Sequence, residues 1–593
     1  MLTCLLAFAS TAGIADGFTG RVFPSRWSSG TIDASGATGG PLYSSATRVG
    51  RRSGATTSMT VSEGAVSSTQ TFDVDSWMKG YQTANSEDQY LLEPSMGSIP
   101  KDIEGTFLRN GPAKFEVGED LVMHPFDGDG MVSAITFSEE GAYFRNRFVK
   151  TTGYQKELKA GKKLYRGMSN LPGGPLANAF KIKTKNLANT NVIYWGGQVL
   201  ALWEGGLPYR LDAKSLDTLG ETMLGETINE NRKAFAAHPR IDVKKERLVG
   251  FGSHNMQETV VYEYDKKFNL LGSRVLTEVK GFLHDMGVSD NYHVFLSSPV
   301  TLKPLKWVLG LSPMSSALTW EGDKRGGVIH VVPRDPSKPT KTIPIPACFC
   351  FHIANAYEDS NTGEVIVDLV RSDSLVLDKG AAVSDRPVWE EVDFGKDVPK
   401  TSMKRYRLEV ASEAGSVVDI STLYDKFVEF PIVNPRVSCQ EHRYVWAQCG
   451  AEETSVSCPG QGVVKLDVLE GKHEKWVAES HEFIGEPTFI PRKGASADVA
   501  EDSGYIATML VNGRDQLTEV VILDAANVAK GPICRLPLKG FIPHTLHGVF
   551  VPELVFTPEQ IEKSFALTDL FARKGWNEAK SEFSGLGLNS FVD

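Results

Sequence analysis

From about residue 90 the chain repeats one pattern: a short run of β-branched and aromatic residues, then a cluster of Gly, Asn, Asp or Pro. VIYWGGQVLALWEGG, RLVGFGSHN, TVVYEYD, YHVFLSS, GGVIHVVPRD, EVIVDLVRSD, KRYRLEV, YVWAQCG, GYIATMLVNGRD and EVVILDA are examples. Runs of this length and composition predict strands, and their punctuation predicts tight turns. Helical periodicity is sparse. It is visible in VWEEVDFG and in TPEQIEKSFALTDLFARKGWNEA near the C-terminus. In the second, Thr557 suits the N-cap, Pro558 the first helical position, and Gln560 completes a capping box. The apolar positions Ile561, Phe565, Leu567 and Leu570 follow. Many strands with almost no helix predict an all-β sandwich, barrel or propeller. About 500 residues exceed a simple sandwich of ~100. No internal repeat of fixed period is visible, so the pattern leaves the number of blades open.

Residues 1–70 are a different material. An apolar stretch, LTCLLAFASTAGIA, resembles a signal h-region and is too short to span a membrane. A Ser-, Thr-, Gly- and Ala-rich stretch follows, with Arg21, Arg26, Arg48, Arg51 and Arg52, and only Asp16 and Asp33 as acids before Glu63. Arg- and Ser-rich, acid-poor composition marks a transit peptide. The two together predict a bipartite leader for two-step import into a plastid with extra membranes. Residues 71–593 then form the folded domain. The net charge of -10 and pI near 5.8 argue against a nucleic-acid partner. No run of 18 apolar residues is present, so no spanning helix is expected. The seven cysteines form no CxxC pair and read as buried free thiols of a reducing compartment.

Twelve histidines are the most informative candidates for chemistry. His238 in AFAAHPRID, His284 in KGFLHDMGVSD, His352 in FCFHIANAYED and His547 in PHTLHGVFVP lie in separate strand-like contexts. No short loop or single helix could gather them; a fold that brings many strands to one axis could. Spacing does not select them from His124, His254, His293, His330, His442, His473, His481 and His544. A four-imidazole site would keep the full charge of a divalent ion and leave up to two octahedral positions open. That suits dioxygen chemistry on a redox metal. A zinc hydrolase fits less well, because four protein ligands close a tetrahedral zinc.

Longer motifs make the selection. GTFLRNGPAKFE, HPFDGDGMVSAITF, YFRNRFVKT, ANTNVIYWGGQVLALWEGGLPYRLD, FVEFPIVNP and GEPTFIPR, with the four histidine segments, run in order from about residue 95 to 552. In them the chain resembles the carotenoid cleavage oxygenases, the family of carotenoid and apocarotenoid dioxygenases, stilbene-cleaving oxygenases and the retinoid isomerohydrolase. The resemblance implies a seven-bladed β-propeller with a small helical and loop cap over the active-site face. It implies one Fe(II) per chain, held by His238, His284, His352 and His547, with His547 rather than His544 as the last ligand. Glu204, Glu429 and Glu486 match carboxylates that hydrogen-bond ligand imidazoles, which would fix tautomer and ring orientation. Thr190 matches a residue near the metal. Trp203, Phe282, Phe351 and Phe430 match positions along a substrate tunnel.

The implied reaction is cleavage of a C=C bond of a carotenoid or apocarotenoid by O2, giving two carbonyl products. Stilbene cleavage or isomerohydrolase chemistry on the same site, and a non-catalytic propeller that binds a partner, are the alternatives. Trp307, Val308, Leu309 and Leu311, with Met314 beyond them, match a nonpolar entrance patch. With Lys303 and Lys306 nearby, they are expected to touch one membrane leaflet peripherally. The third histidine segment departs from the family pattern at Ile353, Cys348 and Cys350. These read as packing variation, although a thiol near an iron–oxygen centre is open to oxidation.

Overall fold

The strand-forming runs fold into seven sheets arranged radially as the blades of a propeller. The computed structural model describes residues 72–565, apart from 226, 229–233, 378–385, 453–455 and 497. The expected leader, Cys4, Leu567 and Leu570 lie outside the described residues. Blades 2 to 6 are four-stranded antiparallel meanders. Their innermost strands are Asn191–Trp195, Arg240–Asp242, Gly287–Val288, Ile353–Glu358 and Val428–Ile432. In blade 7 the short inner strands Glu482–Ile484 and Thr488–Pro491 both pair with Gly504–Asn512.

Both ends of the propeller chain close the ring. Blade 1 contains Gly105–Lys114, Asp129–Ser138 and Gly141–Phe148, but its innermost strand is Gly548–Val551 from the far end of the fold. Conversely, Met96–Gly97 adds the outermost strand of blade 7 against Pro532–Pro537. Each end of the propeller is thus hydrogen-bonded into the blade built by the other.

The middle strands are mostly apolar because they are buried on both faces. Along Gly504–Asn512 every residue is buried. Tyr505, Ala507 and Met509 pack toward blade 1, while Ile506 and Leu510 pack toward blade 6. Period-2 alternation therefore sorts side chains between two neighbouring blades rather than between core and water. Seven apolar clusters result, one at each blade–blade interface. The GG turn of VIYWGGQVLALW closes its hairpin with Gly196 and Gly197 at φ 57° and 77°, a left-handed pair that favours glycine.

Alternating strand direction puts the start of each inner strand on the same face as the connection leaving the second strand. Two of those connections are enlarged. Residues 298–326 of blade 4 carry the short helices Pro304–Val308 and Met314–Ala317. Residues 373–400 of blade 5 carry Val388–Glu391 and Phe394–Asp397, into which VWEEVDFG divides. With the helices Thr152–Ala160 and Gly174–Asn178, these form the cap. The expected C-terminal helix is present over residues 558–565. Its capping box is made by Gln560 N–H to Thr557 Oγ1 at 3.2 Å and Thr557 N–H to Gln560 Oε1 at 3.0 Å. Ile561 and Phe565 bury against Tyr143.

Candidate metal centre

Four inner strands begin one to three residues after a histidine: His547 in blade 1, His238 in blade 3, His284 in blade 4 and His352 in blade 5. The radial geometry aims them at one point, and one nitrogen of each ring lies within 4.8 Å of the others. His544 is elsewhere: its ring packs 4.4 Å from Trp77. The HG step after the last histidine has a steric cause. A Cβ on Gly548 would lie 2.0 Å from the Leu108 carbonyl oxygen, so the strand seats here only with glycine.

The three remaining blades each supply a carboxylate. Glu204 leaves the second strand of blade 2 and contacts Nδ1 of His284. Glu429 of blade 6 accepts from Nδ1 of His352 at 2.5 Å. Glu486 of blade 7 accepts from Nδ1 of His547 at 2.9 Å. Every blade therefore sends one residue to the axis. A proton held on Nδ1 by a carboxylate leaves the Nε2 lone pair free for a metal.

Burial opposes charge on Glu429 and Glu486, yet their histidine partners outweigh it and hold both carboxyls below the ordinary range. Burial, reinforced by the neighbouring imidazoles, pushes His238 well below its usual value, so it stands as a neutral ligand. Burial alone would also lower His352, but Glu429 reverses the direction and raises it.

The donor set fits a cation. Nε2 of His284 and Nε2 of His352 face each other at 3.3 Å. Two lone pairs at that distance repel unless a positive centre lies between them. His238 Nε2 is buried without a protein partner. An orphaned buried nitrogen costs about 1–3 kcal/mol, and a shared metal removes that cost. Four imidazole nitrogens suit a borderline transition metal rather than calcium or magnesium.

A cavity of about 230 Å³ opens over the cluster. Thr190, Trp203, Phe282, Phe351 and Phe430 all line it, beside His284, His352 and His547. Phe430 reaches it through a local irregularity. Adjacent strand residues normally point to opposite faces, so Glu429 and Phe430 could not both face the axis in a regular strand. The pairing shifts register between Glu429 and Ile432, and Phe430 takes φ 49°, in the left-handed region. That conformation costs about 1–2 kcal/mol in a non-glycine residue. It stacks the Phe430 ring 5.0 Å from His352.

The entrance patch is corrected in part. Trp307 is only 3% exposed and its ring lies under the Arg166 guanidinium, so it does not face solvent. Leu309 and Leu311 are exposed, and Val308 is half-buried. Leu305 takes the outward place, and Leu176, Phe180 and Ile182 add a second exposed apolar segment. Phe180 N–H bonds the Val308 carbonyl at 2.7 Å, which joins the two. These residues are remote in sequence, so no local pattern announced them. Cys348, Cys350, Cys439, Cys449, Cys458 and Cys534 are buried and free. Burial pushes the Cys350 thiol well above its normal range, which keeps it protonated.

Two arginines, Arg109 buried and Arg240 half-buried, escaped sequence reasoning. Arg109, in the LRNGP motif, donates to Glu486 at 2.8 Å and to the Leu546 carbonyl at 2.5 Å. It thus braces both the carboxylate and the backbone of His547. Arg240, two residues after His238, donates to Asp285 and the Met286 carbonyl after His284, and to the Ile353 carbonyl after His352. One guanidinium ties three ligand segments together. An arginine in a strand-like run ordinarily reads as exposed, so burial was the missing information.

Comparison with known proteins agrees with this geometry. The chain is 35% identical over 499 residues to the apocarotenoid-15,15'-oxygenase of Synechocystis sp., covering 81% of this chain and 97% of the relative. The chloroplastic carotenoid cleavage dioxygenase 7 of Oryza sativa subsp. japonica is 26% identical, with 74% and 84% covered. A crystal structure of cobalt-substituted Synechocystis apocarotenoid oxygenase superposes with a TM-score of 0.75 at 34% identity, covering 81% of this chain and 99% of the other. The retinal pigment epithelial membrane protein family matches residues 81–552. A seven-bladed propeller with four axial histidines, matched over most of its length to such relatives, belongs to that family, the carotenoid cleavage oxygenases.

Proposed function

We propose that the chain is an iron-dependent dioxygenase that cleaves one C=C bond of a carotenoid or apocarotenoid into two carbonyl products. The carrying observation is the axial centre itself: four buried imidazoles, three backed by carboxylates, under an aromatic-lined cavity. A ferrous ion held there would supply the binding and activation of O2. The protein's own part is positioning. Glu204, Glu429 and Glu486 keep the Nδ1 protons in place and the ring planes fixed. Trp203, Phe351 and Phe430 give the polyene an apolar bed from which water is excluded, and selection of the bond follows from where they hold it. Their π faces also stabilise positive charge developing on the polyene.

The route to the centre supports a membrane-derived substrate. The exposed Leu305, Leu309, Leu311, Leu176 and Phe180 adjoin a half-open cavity of about 530 Å³, lined in part by Gly174, Gly310 and Pro313. That cavity shares Met168 with the one over the histidines. The patch rests on one leaflet and passes the polyene inward. Among the described residues no helix is long and apolar enough to cross a membrane, so the contact is peripheral. The Arg- and Ser-rich leader supports a plastid location.

The test is reconstitution with Fe(II) under argon, then exposure to O2 with a panel of carotenoids, apocarotenals and a stilbene, with products identified by mass. Carbonyl fragments from a polyene are expected, and His284→Ala is expected to abolish them. Fragments from the stilbene alone would replace this reading with the stilbene one. Leu305→Glu with Leu311→Glu is expected to lose sedimentation with liposomes, and undiminished sedimentation would refute the membrane contact.

A further inference from the structure

Two apolar segments remote in sequence share one outer surface, and a single buried side chain lies behind both. Leu176, Phe180 and Ile182 stand on or shortly after the helix Gly174–Asn178, and Leu176 is 95% exposed. Leu305, Leu309 and Leu311 stand on or shortly after the helix Pro304–Val308, and Leu305 is 70% exposed. Side chains this exposed bury little area against one another, so they do not fix where the two segments lie. A group beneath them does.

That group is Arg166, which is buried. Burial pushes its pKa down to about 10, which leaves it charged at neutral pH. All the N–H donors of its guanidinium are spent. Nε and Nη2 donate to Asn170 Oδ1 at 3.1 and 2.8 Å, which fixes the plane of the fork within its own loop. Nη1 donates to the Asn178 carbonyl at 3.1 Å and to the Trp307 carbonyl at 2.6 Å, and Nη2 to the Ser312 carbonyl at 2.8 Å. Asn178 ends the first helix and Trp307 lies in the last turn of the second, where carbonyls lack helical partners. Trp307 and Ser312 also bracket the turn that carries Leu309 and Leu311. One fork thus bonds both apolar segments. A second feature marks the same junction independently. Gly310 has φ 73°, and a Cβ there would lie 2.6 Å from the Ala179 nitrogen and closer still to the Pro175 carbonyl oxygen. The two segments approach this closely only with glycine at 310.

We propose that Arg166 is a positioning residue for entry of the substrate from the membrane: its fork holds the two segments at one level, so that their apolar side chains meet the leaflet together. The mouth behind them is set by the same contacts, because Asn170, Asn178 and Gly310 line the cavity of about 530 Å³. This rests on the membrane-entry reading and adds the residue that builds the surface. Arg166 acts through the patch and not on the reacting atoms, since it does not line the cavity over the histidines. Lysine carries its donors at one point and cannot reach this spread of acceptors.

The first test needs no turnover. Metal-free full chain is sedimented with liposomes of zwitterionic lipid, which takes the charge of residue 166 out of the comparison. Arg166→Met is expected to bind about tenfold more weakly, the effect of withdrawing one leucine side chain from the bilayer. Arg166→Lys is expected to recover little of it. Hydrogen exchange is expected to quicken over residues 174–182 and 304–312 together, including the Phe180 amide that bonds the Val308 carbonyl. The strand Gly504–Asn512 is expected to keep its protection, which reports an intact propeller. Gly310→Ala, with Arg166 present, is expected to give the same paired loss of binding and protection. In the iron-loaded chain, one polyene is supplied from liposomes and from detergent micelles. The Arg166→Met deficit is expected in KM for the liposome-held polyene rather than in kcat. Undiminished sedimentation, full recovery by lysine, faster exchange in one segment alone, or an equal deficit from micelles overturns the proposal. If the wild type itself ignores liposomes, the membrane-entry reading falls and the entry role falls with it. Wild-type binding that Arg166→Met leaves unaltered strikes the proposal alone.

Discussion

The four imidazoles are not equivalent. Three carry a carboxylate on Nδ1, whereas His238 is placed by the backbone of a strand that Arg240 locks to the two neighbouring ligand segments. The carboxylates and the guanidinium thus do separate jobs, one setting ring tautomer and the other setting backbone position. Loss of an outer hydrogen-bond partner typically weakens metal affinity about 10–100-fold. Glu429→Gln is therefore expected to weaken Fe(II) binding within that range, read by competition with a chromophoric chelator, while circular dichroism stays that of the wild type. Arg109 poses a harsher case. Its side chain is fully buried, and its removal strands Glu486 without its cation. Breaking a buried pair by deleting one partner costs roughly 3–5 kcal/mol. Arg109→Met is expected to lower the denaturation midpoint accordingly, and Arg109→Met with Glu486→Gln to recover part of it. A double variant as unstable as the single one would show that Arg109 acts by packing alone.

At the level of strands, what the sequence made legible and what it hid divide by position in the blade. The long middle strands, such as Gly504–Asn512 and Val365–Ser372, are mostly apolar and buried on both faces and announce themselves. The inner strands are short, as in Arg240–Asp242 and Gly287–Val288, and carry the chemistry at their starts, so no periodicity marks them. The ligands were found through flanking motifs, and the bulge that turns Phe430 inward was found only in three dimensions. Blade spacing was illegible because residues 298–326 and 373–400 break any repeat. The outward strands carry a separate pH device. His330, on Gly327–Pro333 of blade 4, donates to or accepts from Ser297 Oγ at 3.1 Å, and burial lowers its pKa to about 4. Because the folded value lies below the unfolded one, its contribution is fully present above pH ~6.5 and is lost as pH falls toward 4. Between pH 7 and 5.5 the loss is about 1 kcal/mol. Urea titrations at the two pH values are expected to show that difference in the wild type and a smaller one in His330→Gln. Equal differences would assign the acid sensitivity to other groups.

For the whole molecule, the decisive fact is that one point on the axis is supplied by all seven blades. The ligands come from blades 1, 3, 4 and 5 and the carboxylates from blades 2, 6 and 7. A metal held there would be a bond between blades. It would also guard the ring closure, because His547 immediately precedes the C-terminal strand that completes blade 1. Opening the ring at that seam would draw His547 away from the other three histidines. An ion that binds only the closed state stabilises it by about 2.7 kcal/mol at a free concentration 100 times its Kd. Anaerobic Fe(II) is therefore expected to raise the melting temperature in a concentration-dependent way and to slow proteolysis at the seam near residue 547. His238→Ala, which removes a ligand supplied two blades away and leaves the seam's own strands intact, is expected to abolish both effects together. If iron still protected the seam in that variant, the ion would be acting at some other site, and the axial centre would not be what holds the ring shut.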